Sequence, residues 1–273
     1  MKFYSIITLI LTTVFTQQLT AAPRIVSLAP AVTEIVAALD MSESLVGVSD
    51  ACDYPADIVS QKTKTGPFLS PDLATITNLE PTIVIGIGVA NSPELQSLVN
   101  TGVQVLLLPS PDNIPGLLTN ITLIGNAIGK SLESKKLADS LNLAIQRLRK
   151  TRPERKLSVL AVIWNPPLIA AAGNTLIADV ISAAGAINTL EAGSIRYPKI
   201  GRDILSYRNP EVVLIMDHNK KDKILGDSAI AFTKAVLDSR VIADIDPVLI
   251  ARPGPRIIDG ITQLQNALLK FTP

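Results

Sequence analysis

From Arg24 onward the chain alternates short apolar runs with stretches whose apolar residues recur at helical spacing. Arg24–Leu28 reads as a strand, Pro30–Leu39 as a helix with Ala, Val and Ile on one face, and Leu45–Val48 as a second strand. The rhythm continues through a helix over Leu73–Leu79, a strand over Thr82–Ile85, a helix over Pro93–Asn100 and a strand over Val103–Leu108. Strands spaced by helices in this way predict a parallel sheet covered by helices. After Pro115 the pattern turns helical for about 35 residues, with an interruption at Gly129. Within it Ser131–Lys150 keeps Leu132, Leu137, Leu141, Ala144, Ile145 and Leu148 near one face. About 20 residues at 1.5 Å each span ~30 Å. Pro153 ends this helix, and a second series begins: a strand over Leu157–Ile163, helices over Thr175–Ala184 and Asp203–Arg208, strands over Val212–Met216 and Val241–Ile245, and a last helix over Pro255–Phe271.

One phrase occurs twice. Ala74–Ile85 (ATITNLEPTIVI) and Asp203–Leu214 (DILSYRNPEVVL) each read as a helix end, a proline and a β-branched run. Arrays need at least about three repeats, so one recurrence half a chain later indicates two similar lobes with a cleft between them. The expected fold class is α/β: two doubly wound parallel-sheet lobes joined by a single long α-helix. The expected division is a leader over 1–22, an amino-terminal lobe over 23–118, a helical segment with the bridging helix over 119–153, and a carboxyl-terminal lobe over 154–273. A helix packed on both lobes restricts their relative movement far more than a flexible linker does, so the site is expected to be largely preformed. In parallel sheets ligands lie beyond the carboxyl ends of strands, which makes the loops after each strand the candidate walls.

The first residues change the picture by placing the chain. Met1 and Lys2 precede an apolar run from Phe3 to Phe15 and the small residues Thr20, Ala21 and Ala22, the pattern of a signal peptide. Cleavage near Ala21 or Ala22 releases an exported, soluble chain, expected in the periplasm. Cys52, the only cysteine, lies far from that point, so no thiol is there to carry a lipid and none can form an internal disulfide.

A net charge of +1 and 18% charged residues give no basic stripe for nucleic acid. The densest basic cluster, Lys150, Arg152, Arg155 and Lys156, falls at a helix end, where cations favour the dipole. His218 is the sole histidine, beside a lysine-rich turn, so neither a hydrolase triad nor a multi-histidine metal site can be assembled. Gly86-Ile-Gly88-Val-Ala-Asn91 lacks the third glycine of a dinucleotide loop and reads as a tight turn. These counts argue against a hydrolase triad, a dinucleotide site and a bare-metal site.

Several motifs then occur in order: Arg24-Ile-Val-Ser-Leu-Ala-Pro-Ala-Val-Thr-Glu34, Val46-Gly-Val-Ser49, Asp53-Tyr54-Pro55, the Leu-x-x-Ile-x-x-Leu-x-Pro phrase over Leu73–Pro81, and Arg252-Pro-Gly-Pro-Arg256. Together, from about Pro23 to the carboxyl terminus, they resemble the helix-linked periplasmic binding proteins of metal-chelate ABC importers, and most of all the cobalamin binders among them. The resemblance implies a binding protein with no catalytic residues and no catalytic cofactor, which captures a corrinoid in the cleft and hands it to an inner-membrane permease driven by a cytoplasmic ATPase; a monomer is expected, and the alternative of another class is an exported α/β enzyme. Haem or a ferric siderophore is the alternative cargo.

By the same resemblance, positions that stack on the ligand fall on Ala51, Phe68, Ile87 and Tyr197, two of which keep an aromatic ring. Trp164, in the loop after the first strand of the second lobe, is a further candidate surface or else is wedged under that loop. Polar contacts to the ligand map to Asp246 and Arg252. Permease-docking acids map to Asp203 in the second lobe and, in the first, to Ala74, with Asp72 two residues earlier. A haem reading requires an axial ligand such as Tyr54, Tyr197 or His218. A siderophore reading calls for more cations along the cleft, where only Arg252, Arg256, Arg196 and Lys199 are candidates. Arg256 stands at a helix start, where its charge opposes the dipole, so either an acceptor in its own loop or the ligand must hold it.

Overall fold

The structure is a computed structural model that describes residues 22–88, 93–151, 155–217 and 220–272. The leader apart from Ala22, together with Val89–Asn91, Arg152, Pro153 and His218, lies outside the described residues.

The first lobe is built in chain order from β1 (Ile25–Ser27), α1 (Pro30–Ala38), β2 (Leu45–Val48), α2 (Ala56–Val59), β3 (Thr63–Lys64), α3 (Leu73–Asn78), β4 (Ile83–Ile87), α4 (Pro93–Ser97) and β5 (Gln104–Leu108). Its five-stranded sheet has the order β3-β2-β1-β4-β5, parallel throughout. Every residue of β1 and β4 is buried, as expected of strands covered by helices on both faces. The chain leaves β1 toward β2 and β3, then returns to pair β4 on the other side of β1. That reversal opens a crevice at the carboxyl ends of β1 and β4.

Two helices carry the chain onward: α5 (Ile114–Ala127), capped by Asn113 accepting from Gly116 N at 2.8 Å, and α6 (Ser131–Lys150). Gly129, at φ +76, supplies the left-handed residue that ends the first and allows the chain to turn back. The two pack along each other, α5 also on α1, and α6 on helices of the second lobe, so α6 is the long member of a hairpin spanning both lobes. Leu141 and Ile145 of its apolar face are buried, whereas Leu132, in the first turn, is exposed.

The second lobe comprises β6 (Ser158–Trp164), β7 (Ile169–Ala170), α7 (Leu176–Ala183), β8 (Ile187–Asn188), α8 (Arg202–Arg208), β9 (Val212–Ile215), α9 (Lys221–Leu225), α10 (Lys234–Leu237), β10 (Val241–Ile242), α11 (Pro247–Ala251) and α12 (Ile257–Leu269). The strands run β10-β9-β6, with β8 and β7 sharing the far side of β6. β7 is antiparallel, a departure from the all-parallel pattern. Pro166 and Pro167 cannot donate to a ladder, so the chain reverses after Trp164 and pairs with its own strand. The strand expected over Val241–Ile245 stops at Ile242. Asp246 and Pro247 then start α11, which lacks the length to show a helical period in the sequence. The duplicated phrase is a real structural repeat: α3, Pro81 and β4 in one lobe correspond to α8, Pro210 and β9 in the other.

One apolar core runs through the whole assembly. Ile25, Val32 and Ile85 of the first lobe join Leu117, Ile121 and Ile145 of the bridging helices and Val180, Ile261 and Leu264 of the second lobe. No helix among the described residues is long and apolar enough to cross a membrane.

Candidate functional site

The crevice at the carboxyl ends of the strands opens into a cavity of about 480 Å³. That lies within the ~300–1,000 Å³ range of small-molecule sites. The first lobe contributes Pro30 after β1, Ile87 at the end of β4, Ser110 after β5, and Phe68. Phe68 comes from the loop after β3 and lies close to Gly88, where a Cβ would be 3.9 Å from its Cζ. The opposite wall is formed by Pro247, Val248 and Ala251 of α11 and by Arg252 at its carboxyl end. The walls are thus apolar, with one aromatic ring and one guanidinium.

That guanidinium belongs to a charged lattice joining the lobes. Arg252 Nη1 donates to Glu34 Oε1 at 2.8 Å and to Asp53 Oδ1 at 2.6 Å, while its Nη2 donates to Asp53 Oδ2 at 3.1 Å. Arg256 Nε donates to Glu34 Oε2 at 3.1 Å and its Nη2 to Glu34 Oε1. The Arg256 guanidinium also lies over the Tyr54 ring, 3.8 Å from its centroid. Glu34, on α1, is only 4% exposed. A buried carboxylate needs paired charge, and two arginines from the far end of the chain provide it. Gly254 makes the approach feasible, since a Cβ there would stand 2.8 Å from Glu34 Oε2.

The Arg252 hydrogen bond holds the Asp53 carboxyl below its ordinary value of 3.8, against an opposing contribution from burial. Depression of a carboxyl on folding means that its stabilising contribution is present above the ordinary value and is lost as pH falls through the lowered one. Asp53 is therefore ionised across the neutral range.

Two further cross-links span the lobes: Arg196 Nη2 donates to Asp112 Oδ2 at 2.6 Å, and Ile114 N, at the start of α5, donates to Asp179 Oδ2 of α7 at 2.7 Å.

Of the residues singled out in the sequence, Phe68, Ile87 and Arg252 come together on the cavity, whereas Ala51 is exposed and does not line it. Tyr197 is 45% exposed beside Arg196; burial raises its phenol above the ordinary range, with Arg196 opposing and Asp112 reinforcing the shift. Trp164 is 47% exposed rather than wedged under its loop. Its Nε1 donates to Pro166 O at 2.9 Å, and Lys220 Nζ stands 2.8 Å from the ring centroid. Asp246 caps α11, accepting from Val248 N at 2.9 Å.

Asp72 caps α3, accepting from Ala74 N, Thr75 N and Thr75 Oγ1. Asp203 is exposed in the first turn of α8, the counterpart of α3 in the repeat, where the dipole favours a carboxylate. Tyr54 lines a separate cavity of about 260 Å³ with Glu34 and Arg256. Among the described residues the acceptor for Arg256 is not in its own loop; it is Glu34 of the other lobe.

Glu34 and Asp53 stand inside the sequence motifs without a role that the motifs assign, and sequence reasoning misses the α11 wall. The Asp246-Pro247 pair, a cap followed by proline, is the available signal for α11. Among the described residues, no cluster of three or more His, Cys, Asp or Glu side chains could hold a metal ion.

The sequence matches the periplasmic binding protein family over residues 25–247. A vitamin B12-binding protein of Vibrio campbellii is 27% identical over 248 residues, covering 89% of this chain and 88% of that protein. An ABC transporter substrate-binding lipoprotein of Bacillus subtilis, YvrC, is 24% identical over 257 residues, 91% of this chain and 81% of that one. Among solved structures, the periplasmic heme-binding protein RhuT from Roseiflexus sp. RS-1 superimposes with a TM-score of 0.81 at 28% identity, covering 91% of this chain and 98% of that chain. With two sheet lobes, a long bridging helix and a cavity between them, the chain belongs to the periplasmic binding protein family, the substrate-binding components of ABC importers.

Proposed function

We propose that the protein captures cobalamin or a related corrinoid in the cleft between its lobes, 23–118 and 154–273, and delivers it to an ABC-type permease driven by a cytoplasmic ATPase. In this reading the leader is removed near Ala21 or Ala22 and the mature chain works in the periplasm as a soluble monomer. The observation that carries the choice of ligand is charge. Arg252, the only cation lining the cavity among the described residues, is occupied by Glu34 and Asp53. Arg256 is held by Glu34 and Arg196 by Asp112. A corrin edge carries mostly neutral amides and does not call for a free cation.

Haem presents two propionates, and many ferric siderophores are anionic, so each asks for positive charge that is already paired. Haem is nevertheless the second reading, on the likeness to a heme-binding neighbour and the half-exposed Tyr197. Calorimetric titration of the mature chain with cyanocobalamin, and in parallel with haemin, separates the two. One-to-one binding of cyanocobalamin alone supports the corrinoid reading; heat with haemin alone replaces it with haem.

In delivery, the exposed acids Asp203 and Asp72, at the amino ends of the two repeated helices, are the permease-docking groups. Asp203→Arg is expected to leave ligand affinity unchanged and to reduce uptake through the cognate permease in proteoliposomes at least about tenfold, the scale of losing a charged contact. Loss of ligand binding in that variant would remove the docking role.

A further inference from the structure

We infer that Asp53 is an internal competitor that sets the charge selectivity of the cleft by occupying the Arg252 guanidinium in the manner of a ligand carboxylate. This rests on the cleft being the ligand site. The geometry is that of a bound anion: both Asp53 oxygens accept from Arg252, at 2.6 and 3.1 Å, the two-pronged arrangement by which arginine recognises a free carboxylate. Arg252 is at the same time a lining residue of the cavity.

Glu34 plays a different part in the lattice. It is buried and receives Arg256 as well, so it anchors and orients Arg252. Asp53, whose side chain is 59% exposed, sits on the outer side of the pair. Its loop is fixed, since Lys64 Nζ donates to Cys52 O at 2.9 Å and Cys52 itself is buried against Thr33 and Ser49. The competitor is therefore present at high effective concentration. It also stays ionised across the neutral range, as its lowered pKa requires.

An uncharged chelate enters without disturbing this pair. An anionic chelate must displace Asp53 or forgo the arginine, and loses affinity either way.

The test uses two ligands that share one macrocycle: haemin, with two free propionates, and haemin dimethyl ester, with none. Both are titrated by absorbance against the mature chain and the Asp53→Asn variant, with cyanocobalamin titrated separately. Asn keeps the shape of Asp and removes the charge. The ratio of haemin to ester affinity is expected to rise about tenfold or more in Asp53→Asn, the scale of a freed charge-assisted pair. That gain should vanish in the double variant Asp53→Asn with Arg252→Gln.

A merely structural role would move both ligands together and leave the ratio alone. A ratio unchanged in Asp53→Asn, or haemin bound no better than by the parent chain, overturns the inference. Asp53→Ser repeats the measurement should Asn refill the contact through its amide. The cyanocobalamin titration of the parent chain decides the corrinoid reading independently, so the two can fail separately.

Discussion

Replacing Glu34 with alanine is expected to lower the midpoint of thermal unfolding by about 6–20 °C. Removing one partner of a buried ion pair costs about 3–5 kcal/mol, because the remaining charge loses its compensation. For a chain of this size each kcal/mol shifts the midpoint by roughly 2–4 °C. The basis is specific: the Glu34 side chain is 3% exposed, and those of its partners Arg252 and Arg256 are 14% and 23% exposed. Without it Asp53 is the one carboxylate left paired with either guanidinium among the described residues.

A triple replacement of Glu34, Arg252 and Arg256 by Leu, Met and Met is expected to be less damaging than Glu34→Ala alone, since it removes charges together with their desolvation penalty. Calorimetric or circular-dichroism melts of the two variants decide the matter. A Glu34→Ala midpoint within about 2 °C of the parent would mean that water screens the lattice and that it contributes little.

Phe68→Ala is expected to weaken ligand binding by about 1–3 kcal/mol, roughly five- to 150-fold. Phe68 is the only aromatic ring among the described residues lining the cavity, so no second ring there replaces its face. It also packs against two buried apolar clusters, which adds a stability cost. Titrations should therefore be run well below the variant's own melting transition, so that the loss reads as affinity. Binding within twofold of the parent would show that the ligand sits elsewhere. Because the ring lies beside Gly88, at the switch point of the first sheet, the outcome also bears on whether this lobe provides the principal wall.

The features legible in the sequence are those written in short-range periodicity. Alternating β-branched runs and amphipathic stretches are local, and Pro81 and Pro210 punctuate the two repeats visibly, so the lobes and bridging helix can be read directly. α11 has five residues, too few for a 3.6-residue period to emerge. β7 has two residues and exists because the prolines before it turn the chain back.

The lattice is harder still to read. Arg252 and Arg256 meet Glu34 across 218 and 222 positions. Nothing near Glu34 in sequence announces that its carboxylate will be buried, and nothing near Arg256 announces its acceptor. For the cavity, resemblance brings Phe68, Ile87 and Arg252 to one wall or another. It also suggests Ala51, which the structure leaves outside, because a resemblance transfers positions in the chain and not the loop conformations that aim them.

The pairing of Glu34 with the end of the chain bears on the order in which the protein can acquire its structure. Counter-charges for a carboxylate near the start of the first lobe lie 218 and 222 positions later, so a ribosome adds them long after it. A nascent chain that stops short of Arg252 therefore lacks both arginines that pair with Glu34 among the described residues, and its first lobe cannot reach the final arrangement by itself. Although the protein has two architectural lobes, the charged lattice around Glu34 closes across them only once the second lobe has been made, so completion of the first lobe waits on the second.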